Sequence, residues 1–244
     1  MIGLIAAGAV VLLLVGGTLG LALSGKLGAN APTTPDSASV DAGFARDMIV
    51  HHDQGVLMAH YAEQNTDDQE ISVMAYDIGY TQTDQLGQMQ GWLSLWDLPE
   101  FTGGTHMAWM GGSTSGHGMG AGPLTSGPIT SGALTSGAMG SGAAGSAAAG
   151  SGTAGALMPG MATTAEIQKM QGLKGKESDI DFLQLMIRHH QGGAPMMAYA
   201  AEHATDPVVR NFAAKMAQSQ AAEITVMTQM LAVRGAQPLP APTG

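Results

Sequence analysis

The chain has 244 residues, with 9 Lys and Arg against 19 Asp and Glu, a net charge of −10 and no cysteine. This excludes the basic patches that a nucleic-acid partner needs, and with them disulfides, thiolate ligands and thiol nucleophiles. Methionine is abundant instead, at 18 residues; its thioether prefers soft ions such as copper(I) and serves equally well as a flexible filler of helical cores.

Residues 1–25 read as an N-terminal membrane anchor or signal segment. No charge occurs from Ile2 to Ser24, a run long enough to cross the roughly 30 Å hydrocarbon layer as a helix. A removable signal carries a basic start and a shorter apolar core, so an uncleaved single-pass anchor through residues 2–24 is the expectation. The bulk of the chain then lies outside the cytoplasm, tethered at the cell membrane, or is secreted if the segment is removed. No second long apolar segment follows, which argues against a channel or transporter.

Residues 26–39 form a flexible tether rich in proline and small polar side chains. Residues 40–99 read as a first helical hairpin. Phe44, Met48, His51, Gly55, Met58 and Ala62 recur at helical spacing, Asn65–Asp68 makes the turn, and Ala75, Ile78, Gln82, Gln85, Met89 and Trp92 line a second helix that Pro99 ends. Residues 100–156 read as a low-complexity linker of Gly, Ser, Thr, Ala and Met. Such a composition cannot offset ordering entropy by burial, so most of it is expected to be disordered. His106 and His117 sit in it beside Met107, Met110 and Met119; the segment could wrap a soft ion or serve as a solvated spacer.

Residues 157–236 read as a short helix plus a second hairpin. Thr163 to Glu166 and Ser178 to Asp181 both fit capping boxes. Phe182, Met186, His189, Gly193, Met196 and Ala200 share one face. Asp206-Pro207 opens the last helix, with Met216, Gln220, Glu223 and Met227 on one face. Residues 237–244 form a frayed tail.

The two hairpins are copies. An offset of 138 positions carries Phe44, Met48, Ile49, His51, His52, Gly55, Met58, Tyr61 and Ala62 onto identical residues, and carries Asp68, Ala75, Gln82, Met89 and Leu93 likewise. A single hairpin has one apolar face and needs a partner, so an all-α fold follows: two duplicated αα-hairpins packed as a four-helix bundle with one long crossover.

Chemistry concentrates at Met48-x-x-His51-His52 and Met186-x-x-His189-His190. Residues three and four apart share a helix face, which puts each methionine beside both histidines. One ring of each pair is expected to point inward and the other toward the helix boundary. Thioether and imidazole together suit copper(I), and zinc less well. Met89 and Met227 can add ligands from the partner helices. Glu223 can orient a histidine through its Nδ1–H, whereas its counterpart is Gln85. A structural polar layer, with the histidines bonded to Gln82, Gln220 or Glu223, accounts for the same residues. His60, His203 and Glu202 have no repeated partners and read as surface residues. No hydrolase triad, paired-carboxylate arrangement or phosphate loop is present.

The stretches FLQLMIRHHQGGAPMMAYA (Phe182–Ala200), Phe44–Ala62, MPGM (Met158–Met161) and QSQAAEITVM (Gln218–Met227) resemble an exported bacterial family called domain of unknown function 305. The resemblance covers about residues 40–96 and 157–236. It implies a ferritin-like helical protein outside the cytoplasm, and some members resemble periplasmic copper-binding proteins. It points to Met48, His51, His52, Met186, His189 and His190 as metal ligands, with Met158 and Met161 as additions. Pro195, Met197 and Gln85 depart from the family pattern and imply unequal halves.

The expectation is therefore a membrane-tethered, extracytoplasmic copper-binding protein, with copper(I) as its ion, that sequesters or transfers the metal. The alternatives are a structural cell-envelope module acting through a protein partner and, with least support, a metal-dependent oxidoreductase.

Overall fold

The computed structural model describes residues 34–111 and 157–242. The proposed anchor at residues 2–24 and most of the Gly/Ser linker, with His117 and Met119, lie outside the described residues. Among the described residues there are five α-helices and no strand: α1 (Val40–Asn65), α2 (Gln69–Leu95), α3 (Thr164–Gly172), α4 (Gly175–His203) and α5 (Pro207–Val233). No helix among them is long and apolar enough to cross a membrane.

Short polar residues start the helices by accepting from free backbone N–H groups. Ser39 caps α1 at Ala42 N, Asp68 caps α2 at Glu70 N, and Asp206 caps α5 at Val208 N, with Pro207 in the first turn. The capping box of Thr163 and Glu166 forms at α3. The second expected box does not form. Helix α4 begins at Gly175 behind Lys174, without a side-chain cap, so Ser178 is inside the helix and its buried hydroxyl has no partner. Gly175 has φ +54°, a value glycine adopts without strain, and this lets the chain turn from α3 into α4. Helix α2 ends at Leu95 rather than at Pro99, with Asp97 in the left-handed region at φ 55°. Helix α4 continues through Pro195.

Helices α1 and α2 pack as one hairpin, α4 and α5 as the other, and α1 packs on α4. The start of α1 meets the end of α4: the buried Asp41 carboxylate accepts from Thr205 N at 2.9 Å and Asp206 N at 2.8 Å. At the opposite end, the buried Asn65 amide donates to the Met170 carbonyl at 3.0 Å. These contacts fix α1 and α4 as antiparallel.

Two apolar clusters result. One joins Phe44, Met48, Met89 and Leu93 from the first hairpin to Met196, Ala200, Val209 and Ala213 from the second. The other joins Phe182, Met186, Met227 and Leu231 to Met58, Ala62, Ile71 and Ala75. The 138-position offset exchanges the two clusters, so the hairpins are related by an internal two-fold across the α1–α4 contact. Each large side chain fully buried here contributes about 1.5–3 kcal/mol. The histidine-bearing turns of α1 and α4 lie between the clusters.

The first residues of the low-complexity tract belong to the packed structure. Residues 108–110 form a single 3-10 turn, and Asp47 holds it: its carboxylate accepts from His106 Nδ1 at 2.7 Å, Met107 N at 2.6 Å and Trp109 Nε1 at 2.7 Å. The Trp109 ring rests on Gly43, where a Cβ would come within 2.3 Å of it, and meets Phe44 and Tyr199 edge-on. Beyond the linker, Met158–Met161 lies on α4. A Cβ at Gly192 would sit 1.9 Å from the Pro159 carbonyl oxygen, so only glycine permits this backbone approach. Gln54 pins the segment from α1, accepting from Ala162 N at 2.6 Å and donating to its carbonyl at 2.9 Å.

Candidate metal centre

All four histidines of the repeated pairs are fully buried. His51 and His189 face each other across the internal two-fold with ring centroids 3.7 Å apart and planes 30° apart. His52 and His190 turn instead toward the second helix of their own hairpins. His52 Nε2 donates to Gln85 Oε1 at 2.7 Å, and His190 Nε2 donates to Glu223 Oε2 at 2.7 Å. Ser219 donates to the other Glu223 oxygen at 2.9 Å. The expected division into one inward and one outward-turned ring therefore holds in direction, but neither ring reaches the surface.

The acceptors decide the tautomers. An amide oxygen, a carboxylate and a carbonyl can only accept. His52 and His190 thus carry their protons on Nε2, as does His189, whose Nε2 donates to the His51 carbonyl at 2.9 Å. Nδ1 of all three is buried and without a partner; His51 has no hydrogen-bond partner on either nitrogen. The expected Glu223 contact to a histidine Nδ1–H is corrected here: the bond is through Nε2. Helix spacing alone does not reveal which ring nitrogen meets the neighbouring helix.

Burial keeps the His51, His52 and His189 rings neutral. It is the main cause that lowers His51 to about 3, with His52 and His190 adding to it, while the Pro159 carbonyl, short of hydrogen-bonding geometry, pulls the other way. His52 is lowered to about 4, again mainly by burial, against the opposing bond to Gln85. His189 lies well below the ordinary histidine value for the same first reason, with His51, His190 and His52 adding to it. Burial raises Glu223, but its bonds from His190 and Ser219 outweigh this and hold it below the usual carboxylate value. Neutral imidazole is the form that ligates a metal.

The methionines divide. Met48, Met89 and Met158 are buried in the first cluster, with the partly buried Met161 packed against it. Met186 and Met227 are buried in the second. Sulfur thus lies on both sides of the imidazole layer rather than in one group. Among the described residues no three His, Asp or Glu side chains are poised to hold one ion as they stand. The reason is visible in the rings: stacked imidazoles direct their lone pairs in the ring planes, not at each other. Even so, the donor set fits a soft cation, because four buried imidazoles carry unpartnered nitrogens within a thioether-rich core.

Other residues sort plainly. His60 and His203 are exposed, paired with Gln64 and Glu202. Gln82 and Gln220 are buried but bond to nothing. Gly55 makes room for Gln82, whose Oε1 lies 2.1 Å from where a Cβ would be, and Gly193 makes room for the His51 ring edge at 3.1 Å. Sequence reasoning passed over Asp47, Asp41 and Gln54. Asp41 carried a usable signal, since the same offset matches it to Asp179, also buried.

The family description "Domain of unknown function (DUF305)" matches residues 41–231. The chain belongs to the DUF305 family. It is similar to the crystal structure of a DUF305 protein from Streptomyces coelicolor whose description names it as secreted, with 37% identity, TM-score 0.64, 84% of this chain and 99% of that one covered. A DUF305 fragment from Deinococcus radiodurans shares 22% identity at TM-score 0.53, over 80% of this chain and 95% of that one. The copper(I)-bound form of CopM shares 17% identity at TM-score 0.50, over 79% and 96%. At these identities the last two show a common helical fold. No curated protein matches the chain.

Proposed function

We propose that this DUF305 protein is a membrane-tethered, extracytoplasmic copper-binding protein that sequesters or hands over copper(I). One observation carries the reading: three buried imidazoles have Nε2–H committed to protein oxygens and Nδ1 left without a partner. Fixing one ring nitrogen by a hydrogen bond is how proteins prepare the other for a metal. His51, His52, His189 and His190 would hold the ion, with Met48, Met89, Met158, Met161, Met186 and Met227 as the soft sulfur around it. Each thioether lowers the preference for hard ions. The copper bound by CopM supports the choice of ion.

The two-fold pairing of the hairpins supports a ferritin-like four-helix bundle as the frame. The uncharged run at residues 2–24 supports the tether, and the relative whose description names it as secreted supports a place outside the cytoplasm.

Anaerobic titration of the chain with copper(I) against a strong chelator tests the proposal, with His51, His52, His189 and His190 changed together to alanine as the comparison. The expected result is tight binding by the natural chain and its loss in the variant. Equal binding by both would defeat it.

A second reading has one observation in its favour. The bonds of His52 to Gln85 and His190 to Glu223 also suit a structural polar layer in an envelope module that acts through a protein partner. That reading predicts loss of stability on histidine substitution with no dependence on metal.

A further inference from the structure

Met197 is 1% exposed and lies on α4, one turn beyond Gly193. Two side chains converge on the bare face of that glycine. The position a Cβ would take there is 3.1 Å from His51 Cε1, 3.6 Å from His51 Nδ1 and 3.6 Å from Met197 Cε. The end of a thioether side chain thus meets the ring edge of the central imidazole of the other hairpin, in space that glycine keeps free. Nδ1 lies on this edge of the ring, and neither His51 nitrogen has a hydrogen-bond partner among the described residues. A buried nitrogen of this kind calls for a partner.

The contact belongs to one half of the molecule. The 138-position offset matches Met197 to Ala59, and at the matched Gly55 the nearest side chain is the Gln82 amide rather than a thioether. The pairing of the hairpins, which singles out Met48 with Met186 and Met89 with Met227, therefore passes over Met197. Packing alone asks for no sulfur here, since alanine serves at the matched position and leucine would fill the same volume. We propose that Met197 is a ligand of the ion. With its proton on Nε2, the tautomer that His52, His189 and His190 adopt, His51 holds copper(I) through Nδ1, and Met197 adds its Sδ from the opposite hairpin. Both donors suit copper(I), and the thioether turns the site away from zinc. The ion is held on the Gly193 side of the two-fold, and its ligands from α1 and α4 tie the two hairpins together. This inference rests on the copper(I) binding proposed above and assigns to it a residue that the repeat does not mark.

Chelator competition with copper(I) and copper-edge X-ray absorption, on the natural chain and on Met197→Leu, are the test. Leucine keeps the volume of methionine and removes the donor. The variant should bind copper(I) at least about tenfold more weakly, the lower end of what losing even an outer partner of a metal costs, and should show one sulfur fewer around the copper. Met197→Ala, the residue found at the matched position, repeats both measurements should the leucine variant not fold. Met58→Leu, equally buried but in the second cluster, is the control and should bind as the natural chain does. With carbon-13 at the methionine methyls of the natural chain, the resonance that is missing from Met197→Leu should move when copper(I) is added. Equal affinity and an unchanged sulfur count in the Met197 variants would overturn the assignment and leave the copper proposal standing. An equal loss in Met58→Leu would also overturn it, since any substitution in the core would then do the same. A natural chain that binds no copper(I) would defeat both proposals.

Discussion

His51 and His189 occupy the same place in their two hairpins, and their rings stack on one another at 3.7 Å between centroids. Each ring is packed against its own image, at the point where the two-fold passes between α1 and α4. A buried stack of neutral imidazoles with open nitrogens is costly for folding alone, so its presence bears on function.

Replacing both rings by leucine separates the two demands. His51→Leu with His189→Leu removes unpartnered buried polar atoms and leaves apolar volume. The metal-free double variant should melt about 2–4 °C higher, as a gain of roughly 1 kcal/mol implies, and should bind copper(I) at least tenfold more weakly. Calorimetry and chelator competition check the two halves of this expectation.

The same histidines should make the metal-free fold sensitive to acid. Their folded values, about 3 for His51 and about 4 for His52, lie below the ordinary histidine value of about 6.5. The unfolded chain therefore binds more protons between these values, and stability falls as pH drops from about 6.5 toward 4. Melting curves over that range should show a loss that is smaller in the leucine double variant.

Glu166 ties α3 to α4. It closes the capping box and receives Arg188 at 2.9 and 2.8 Å. Its carboxyl is held at about 2, through the Arg188 bonds first, with the Thr163 bonds adding and burial opposing. A depressed carboxylate contributes above its unfolded value and loses the contribution as pH falls through its folded one. Glu166→Gln should cost about 1 kcal/mol at neutral pH, discounted for partial exposure, and the gap from the natural protein should close between pH 4.5 and 2. Urea unfolding at several pH values measures it.

Gly192 admits the Pro159 carbonyl where a Cβ would lie 1.9 Å from it. Both partners are backbone and cannot swing aside. Gly192→Ala should destabilise by about 1–3 kcal/mol and lift Met158–Ala162 from α4, giving faster proteolysis within that segment.

Asp47 fastens the 3-10 turn through three donors. In Asp47→Ala the Trp109 indole should lose its partner and move into water, so that tryptophan emission shifts to the red while helical circular dichroism is kept.

Much of this was legible from residue spacing. Identities recurring at one offset across both helices and their turn pointed to the matched hairpins, and Asp206-Pro207 and Thr163–Glu166 marked helix starts, because capping is a local property. Ser178 misled for the same reason: its pattern with Asp181 is locally sound, but Phe182 and Leu183 belong to a helix that has already begun at Gly175. The ring nitrogen that meets Glu223 depends on the distance between α4 and α5, which no spacing within one helix encodes. Asp47 has no acidic counterpart, because its matched position is Leu185. That mismatch was itself informative, since the acid serves His106 and Trp109, which have no copy in the second half.

The antiparallel meeting of α1 with α4 has a consequence for ancestry. A surface that fits its own image lets a lone hairpin form a symmetric homodimer, and fusing two such genes would yield this chain. The later divergence of Gln85 from Glu223, and of Asp47 from Leu185, is open only to a fused chain, because in a homodimer every substitution appears twice.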